Sequence, residues 1–232
     1  MSKNAIAGVD RRQFLQAAVA GVVAGIVAPA VPWVAVARGL TTRTELTPDG
    51  ALRELLAGNR RFAADRLTSK NQDLAMLKKR TAEKQQPFAA VLSCADSRVP
   101  VELVFDQSIG QIFVARVAGN IVTPEIIASL EYAVAVLGIR ALLVLGHTNC
   151  GAVKAAMKAE AVPGQISSLY SHIRPAVDRS AGNVARAIET NAQVQAELLR
   201  TSSTVIREAT TARKLKVVAG VYDLATGQVA VC

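Results

Sequence analysis

The sequence predicts an α/β domain: a mostly parallel, four-stranded sheet with a fifth strand added at the C-terminus, and helices on both faces. Three observations lead to it. Phe88-Ala89-Ala90-Val91-Leu92, Ile112-Phe113-Val114-Ala115 and Ala141-Leu142-Leu143-Val144-Leu145 are short apolar runs, the pattern of strands buried on both faces. Segments with helix start and stop signals separate these runs, which makes βαβ units. The 232 residues, 51% of them hydrophobic, suffice for one full core and are few for two.

Residues 1–37 read as an address. Asp10-Arg11-Arg12-Gln13-Phe14-Leu15 sets paired arginines before an apolar stretch, and no charge occurs from Phe14 to Ala37. A charged region followed by an apolar one is the anatomy of an export signal, here resembling the twin-arginine translocation type, which carries folded proteins through its own machinery. Small-x-small cleavage sites stand at Ala28-Pro29-Ala30 and Ala35-Val36-Ala37, and polarity returns at Arg38 after the second. The alternative is an uncleaved membrane anchor, since ~20 apolar residues span a bilayer. Pro29 and Pro32 interrupt the run and count against it. The domain proper is thus expected over residues 38–232, in an exported, extracytoplasmic or periplasmic protein.

Within that domain, Thr47-Pro48-Asp49 opens a helix with a capping hydroxyl, a proline at the first position and an acid near the positive dipole end. The helix continues to about residue 64, with Leu52, Leu55, Leu56 and Phe62 as its apolar stripe. A mostly polar stretch follows, from about Thr68 to Gln86. Thr123-Pro124-Glu125 starts a second helix, stopped by Gly138, and another begins just after Cys150. One or two helices fill residues 165–212. Lys216 to Tyr222, a turn at Ala225-Thr226-Gly227 and a last strand to Val231 close the chain.

The formal charge of +9 raises nucleic acid as a partner. The basic residues are dispersed, with Lys78, Lys79 and Arg80 the densest group, and aromatics are only 4%, so no nucleic-acid surface is expected. Three cysteines, Cys94, Cys150 and Cys232, fit no disulfide framework.

Two of those cysteines follow strands. The first strand runs into Ser93-Cys94-Ala95-Asp96-Ser97-Arg98 and the third into Gly146-His147-Thr148-Asn149-Cys150-Gly151. Open α/β sheets build sites outside the carboxyl ends of their strands, so Cys94, His147 and Cys150 can meet there. Two thiolates and an imidazole suit zinc, and three protein ligands leave a fourth position free, the stoichiometry of a catalytic centre. The plain alternative for each cysteine is an inert buried thiol. Cys150 stands where a helix N-terminus favours the thiolate. Asp96 and Arg98, two apart in an extended segment, point the same way and can form an ion pair beside the metal.

These two segments, Cys94-Ala95-Asp96-Ser97-Arg98-Val99 and His147-Thr148-Asn149-Cys150-Gly151-Ala152-Val153, resemble the signatures of β-class carbonic anhydrases. The likeness extends through Phe113 to Asn120, through Ser129-Leu130-Glu131-Tyr132-Ala133, and back to Gly58-Asn59-Arg60-Arg61-Phe62. It implies one zinc per chain on Cys94, His147 and Cys150, an Asp96–Arg98 catalytic dyad, and reversible hydration of carbon dioxide to bicarbonate and a proton. It also implies a homodimer or dimer of dimers, with the N-terminal helix reaching onto the partner and residues of both chains lining each site. Gln85, Phe113 and Tyr132 match the carbon dioxide site of the plant-like, accessible subgroup, with Gln86 an alternative register, and Gly151 joins the substrate set. Ala95 and Val117 depart from the usual serine and asparagine, at positions that are neither ligand nor dyad. Two thiolates cancel the formal charge of Zn²⁺, which implies a pH–rate profile rising on the alkaline side of neutral.

Three other readings compete. The same scaffold acts on carbon disulfide or carbonyl sulfide in some relatives; a non-catalytic zinc protein would not need Asp96 and Arg98; a dithiol redox protein would favour a Cys-x-x-Cys spacing, which is missing. His172 reads as a helix-surface residue, with proton shuttling as its other option. Cys232 reads as an exposed terminal thiol.

Overall fold

A computed structural model describes residues 46–69 and 74–232, so the expected signal in residues 1–37 lies outside the described residues. The order is α1 (Pro48–Ala63), α2 (Leu74–Thr81), β1 (Ala89–Ser93), α3 (Val101–Val104), β2 (Ile112–Arg116), α4 (Pro124–Ala135), β3 (Ala141–His147), α5 (Gly151–Lys158), α6 (Tyr170–Asp178), α7 (Val184–Ser202), α8 (Thr204–Thr211), β4 (Lys216–Tyr222) and β5 (Val229–Val231). Short 3₁₀ turns occupy Ala118–Asn120 and Ile166–Leu169.

The strands form one sheet in the order β2-β1-β3-β4-β5. The first four are parallel and β5 runs antiparallel to β4, as predicted. Strand alternation divides the core between two faces. Ala90, Leu92, Leu142, Val144, Val217 and Ala219 pack with α4, α7 and α8 on one side. On the other, Ala89, Val91, Ala141, Leu143 and Leu145 pack with Ala51 and Leu55 of α1 and with Phe88 and Phe105.

Local chemistry accounts for the helix ends. Thr47 caps α1, its hydroxyl accepting from the Gly50 N–H at 3.1 Å. At α4 the N-cap Thr123 acts differently: its hydroxyl donates to the Glu125 carboxylate at 2.8 Å and makes no capping bond to a backbone N–H. Gly138 stands beyond α4 at φ +68°, a left-handed position that favours glycine. Gly58 answers a different need, because a Cβ there would lie 1.8 Å from the Phe105 carbonyl oxygen. Its neighbour Asn59 holds both ends of that contact region, donating to the Val104 and Gly227 carbonyls and accepting from the Val229 N–H.

The polar stretch after α1 contains a helix, α2, none of whose residues is buried, so no apolar stripe announces it. One expectation is corrected. Residues 165–212 hold three α-helices and a 3₁₀ turn where one or two helices were expected. The breaks fall at residues 179–183, where Ala181 and Gly182 both take positive φ, and at Ser203, whose hydroxyl caps α8.

Candidate metal centre

The register of β1 against β3 creates the site. Ser93 is level with Leu145, so Cys94 leaves the sheet while β3 continues two residues further to His147. Cys150 then caps α5 without using its side chain as a capping acceptor. The Cys94 and Cys150 sulfurs and a ring nitrogen of His147 all lie within 4.8 Å of one another, and all three residues are buried. Among the described residues this is the one such group of histidine, cysteine and carboxylate side chains.

The donor set fits a metal ion. His147 Nδ1 lies 2.9 Å from the Thr148 carbonyl oxygen, which makes it the protonated nitrogen and leaves Nε2 a bare lone pair. Nε2 is fully buried with no hydrogen-bond partner. An unsatisfied buried polar atom is costly, and a cation shared with two sulfurs would satisfy it.

The two thiols compete for one proton. Cys94 is held down, first by the hydrogen bond from the Cys150 thiol and, against burial, by the Gly119 and Asp96 N–H groups. Cys150 is pushed up, because its proton is held by Cys94 and burial opposes its charge. The amides of Ala152 and Val153 at the start of α5 pull it downward, as a helix N-terminus should, and are outweighed. The start of α5 thus favours the Cys150 thiolate as expected, and a cation between the sulfurs would remove the competition between the two thiols.

Beside this group, both Asp96 oxygens are held by Arg98. Oδ1 accepts from Arg98 Nε at 2.9 Å and from the Arg98 backbone N–H at 3.0 Å, and Oδ2 accepts from Nη2 at 2.7 Å. Asp96 Oδ2 also lies 3.7 Å from His147 Nε2. The two side chains meet because residues 97–98 form a turn that folds Arg98 back, and not because the segment is extended as expected. The Arg98 hydrogen bonds hold the Asp96 carboxyl well below the usual carboxylate range, against the opposing effect of burial.

Arg116, which carried no predicted role, organises the loop. It closes β2 and donates to the Cys94 carbonyl at 3.0 Å and to the Asp96 carbonyl at 2.6 Å. Its signal in the sequence was a lone arginine ending an apolar strand at the same sheet edge. Phe113 is half-buried and packs against the α4, α7 and α8 core. Gln85 is exposed on the segment before β1, Tyr132 is 48% exposed on α4, and Gly151 is exposed at the start of α5. The single chain therefore brings the ligand set and the dyad together and leaves Gln85 and Tyr132 on its surface. His172 is half-buried in α6, and its carbonyl accepts from Gln195 at 2.9 Å. Cys232 is exposed and free, beside a cavity of about 380 Å³ that it lines with Arg179 and Arg200, away from the metal-ligand group.

Fold and site together define an α/β protein with a Cys-His-Cys group able to hold a metal at the carboxyl edge of a parallel sheet. Residues 89–229 match the family model described as carbonic anhydrase. The chain belongs to the carbonic anhydrase family, in its β class, and is an enzyme of that activity. It is 36% identical over 191 residues to a carbonic anhydrase of Mycolicibacterium smegmatis, covering 78% of this chain and 92% of that one. Two solved structures share the fold. One is from the work on two tetrameric β-carbonic anhydrases of Sordaria macrospora, with a TM-score of 0.65 at 24% identity over 78% of this chain and 95% of that one. The other is the Coccomyxa β-carbonic anhydrase in complex with acetazolamide, with a TM-score of 0.59 at 29% identity over 78% and 85% of the two chains.

Proposed function

We propose that this carbonic anhydrase uses one zinc ion per chain, held by Cys94, His147 and Cys150, to interconvert carbon dioxide and bicarbonate outside the cytoplasm. The observation that carries the metal is the buried, unpartnered Nε2 of His147, a residue whose ring offers a nitrogen within 4.8 Å of two cysteine sulfurs. A metal held by these three residues would supply the acidification of a bound water that carbon dioxide hydration needs. The chain's own residues do the rest. Asp96, kept ionised by Arg98, accepts a hydrogen bond from the attacking water and aims its lone pair. Arg98 fixes the carboxylate by three donors and so sets that direction. With both its oxygens accepting from Arg98, Asp96 already has a partner other than the metal, which supports an open, accessible site with three protein ligands.

Gln85, Phe113, Tyr132 and the Gly151 backbone form the carbon dioxide pocket. The exposure of Gln85 and Tyr132 in one chain supports a homodimer, or a dimer of dimers, in which the partner covers these residues. The Sordaria proteins are tetrameric by their description. Residues 1–37 serve as a twin-arginine export signal, supported by Arg11-Arg12 and the uncharged run behind them. Among the described residues no helix is long and apolar enough to cross a membrane.

Zinc-edge absorption spectroscopy at about pH 8 tests the centre. Two sulfurs, one imidazole nitrogen and one oxygen from water are expected. A carboxylate as fourth ligand would overturn the open form, and fewer than two sulfurs would overturn the ligand set. A fusion of residues 1–40 to a folded reporter tests export: it should reach the periplasm and be held back by Arg11→Lys with Arg12→Lys.

A further inference from the structure

Helix α7 buries a continuous stripe, Ala187, Ile188, Asn191, Ala192, Gln195, Ala196 and Leu199. Two of these are amides, 0% and 1% exposed, in a stripe that is otherwise aliphatic. Buried amides of this kind are retained only when their hydrogen bonds are satisfied. Both are satisfied by the same short segment. Asn191 Nδ2 donates to the Gly119 carbonyl at 2.8 Å, and Gln195 Oε1 accepts from the Val122 N–H at 2.8 Å. Gln195 Nε2 donates to Asn191 Oδ1 at 3.2 Å and to the His172 carbonyl at 2.9 Å, so the amides also orient each other.

That segment needs holding. Gly119 and Asn120 take φ +75° and +46°, two successive left-handed residues, and the second is not glycine. A Cβ at Gly119 would come 2.8 Å from Ile173 Cδ1. The result of the turn is one N–H aimed at the metal centre: Gly119 N donates to Cys94 Sγ at 3.3 Å.

We infer that Asn191, locked by Gln195, is a positioning residue of the metal centre, which holds the Gly119 N–H on the Cys94 sulfur. The inference rests on the reading that Cys94 is a metal ligand. A donor on a thiolate ligand withdraws charge from sulfur, and partners of ligands typically tune metal affinity 10–100-fold. In a centre whose two thiolates already neutralise a divalent ion, that withdrawal leaves the metal a stronger Lewis acid. Loss of Asn191 frees the Gly119 carbonyl and lets the turn relax away from Cys94.

The test uses the full chain loaded with zinc or cobalt(II), with Asn191→Leu and Asn191→Asp as variants. The first removes the amide, and the second sets an oxygen against the Gly119 carbonyl. Ser180→Ala is the control: it deletes another buried hydrogen bond, from Ser180 to the Val177 carbonyl, outside this turn. Expected are a shift of the thiolate-to-cobalt band to longer wavelength, zinc affinity lower by about 10-fold, and a pH–rate profile moved to higher pH. The control should keep the wild-type band and profile. Folded Asn191 variants with wild-type band, affinity and profile would overturn the assignment. If neither variant folds, the wild type loaded with ¹¹³Cd decides: a through-bond coupling between the Gly119 amide proton and the metal is expected, and its absence overturns the assignment. A wild-type chain that takes up neither zinc nor cobalt would overturn the metal reading itself.

Discussion

Arg98 grips the Asp96 carboxylate with its side chain and its own backbone N–H at once, over 2.7–3.0 Å. Arg116 holds the backbone carbonyl of the same residue, at 2.6 Å. A carboxylate fixed this way has one direction left to offer, toward His147 and the metal ligands.

Arg98→Ala should lower kcat by about 10²-fold, the typical cost of misplacing a reacting group, while metal content stays at the wild-type level. Stopped-flow hydration and metal analysis of the same sample check this. Arg98→Lys should recover little, because an ammonium cannot reproduce the forked contact.

Asp96 is depressed far below neutral, first by the Arg98 hydrogen bonds, so it is ionised throughout the working range. Its titration therefore cannot produce an activity change near pH 7. With two thiolates on the metal, the activated water should be less acidic than the ~7 of a three-histidine zinc site. The pH–rate profile should rise on the alkaline side of neutral, and a kinetic pKa clearly below ~7 would contradict this.

Asp106 gives a separate prediction about stability. Its carboxylate is fully buried, and burial alone would raise its pKa. The donors Ser69 N, Arg61 and Thr68 outweigh burial and hold it well below the ordinary value. A folded pKa below the unfolded one means stability that is fully present above the unfolded value of ~3.9 and lost as pH falls through the folded one. Asp106→Asn should cost about 3 kcal/mol at pH 7, and the difference from wild type should shrink in acid. Urea unfolding at pH 7 and pH 3 measures both.

Gly58→Ala should destabilise by about 3 kcal/mol or more, since the new methyl meets the Phe105 carbonyl and no flexible side chain can yield. A thermal melt of the metal-loaded protein measures it. Unchanged stability would mean that α1 can lift away from the α3 segment.

The sheet was legible because its strands are apolar on both faces, and the ligand set because two strands end in cysteine-bearing polar segments. The end of β3 was less so. Gly146 and His147 are weak strand formers, and only pairing with Val221 and Tyr222 of β4 extends the strand through them. The contact between Asp96 and Arg98 was foreseen for the wrong backbone, since a turn and an extended pair share the same spacing. Asn191 and Gln195 could have been found as polar residues four apart in an aliphatic helix stripe, although nothing in the sequence tells that their partners are Gly119 and Val122. Gln85 and Tyr132 are exposed on the single chain, and nothing local in the sequence tells a pocket residue from a surface one at these positions.

The most direct test of the account is carbon dioxide hydration by the purified full chain, with zinc quantified in the same sample and Cys150→Ala beside it. One zinc per chain and rapid hydration are expected in the wild type, with both lost in the variant. Hydration that survives in the variant at wild-type rate, or zinc bound without hydration in the wild type, would contradict it.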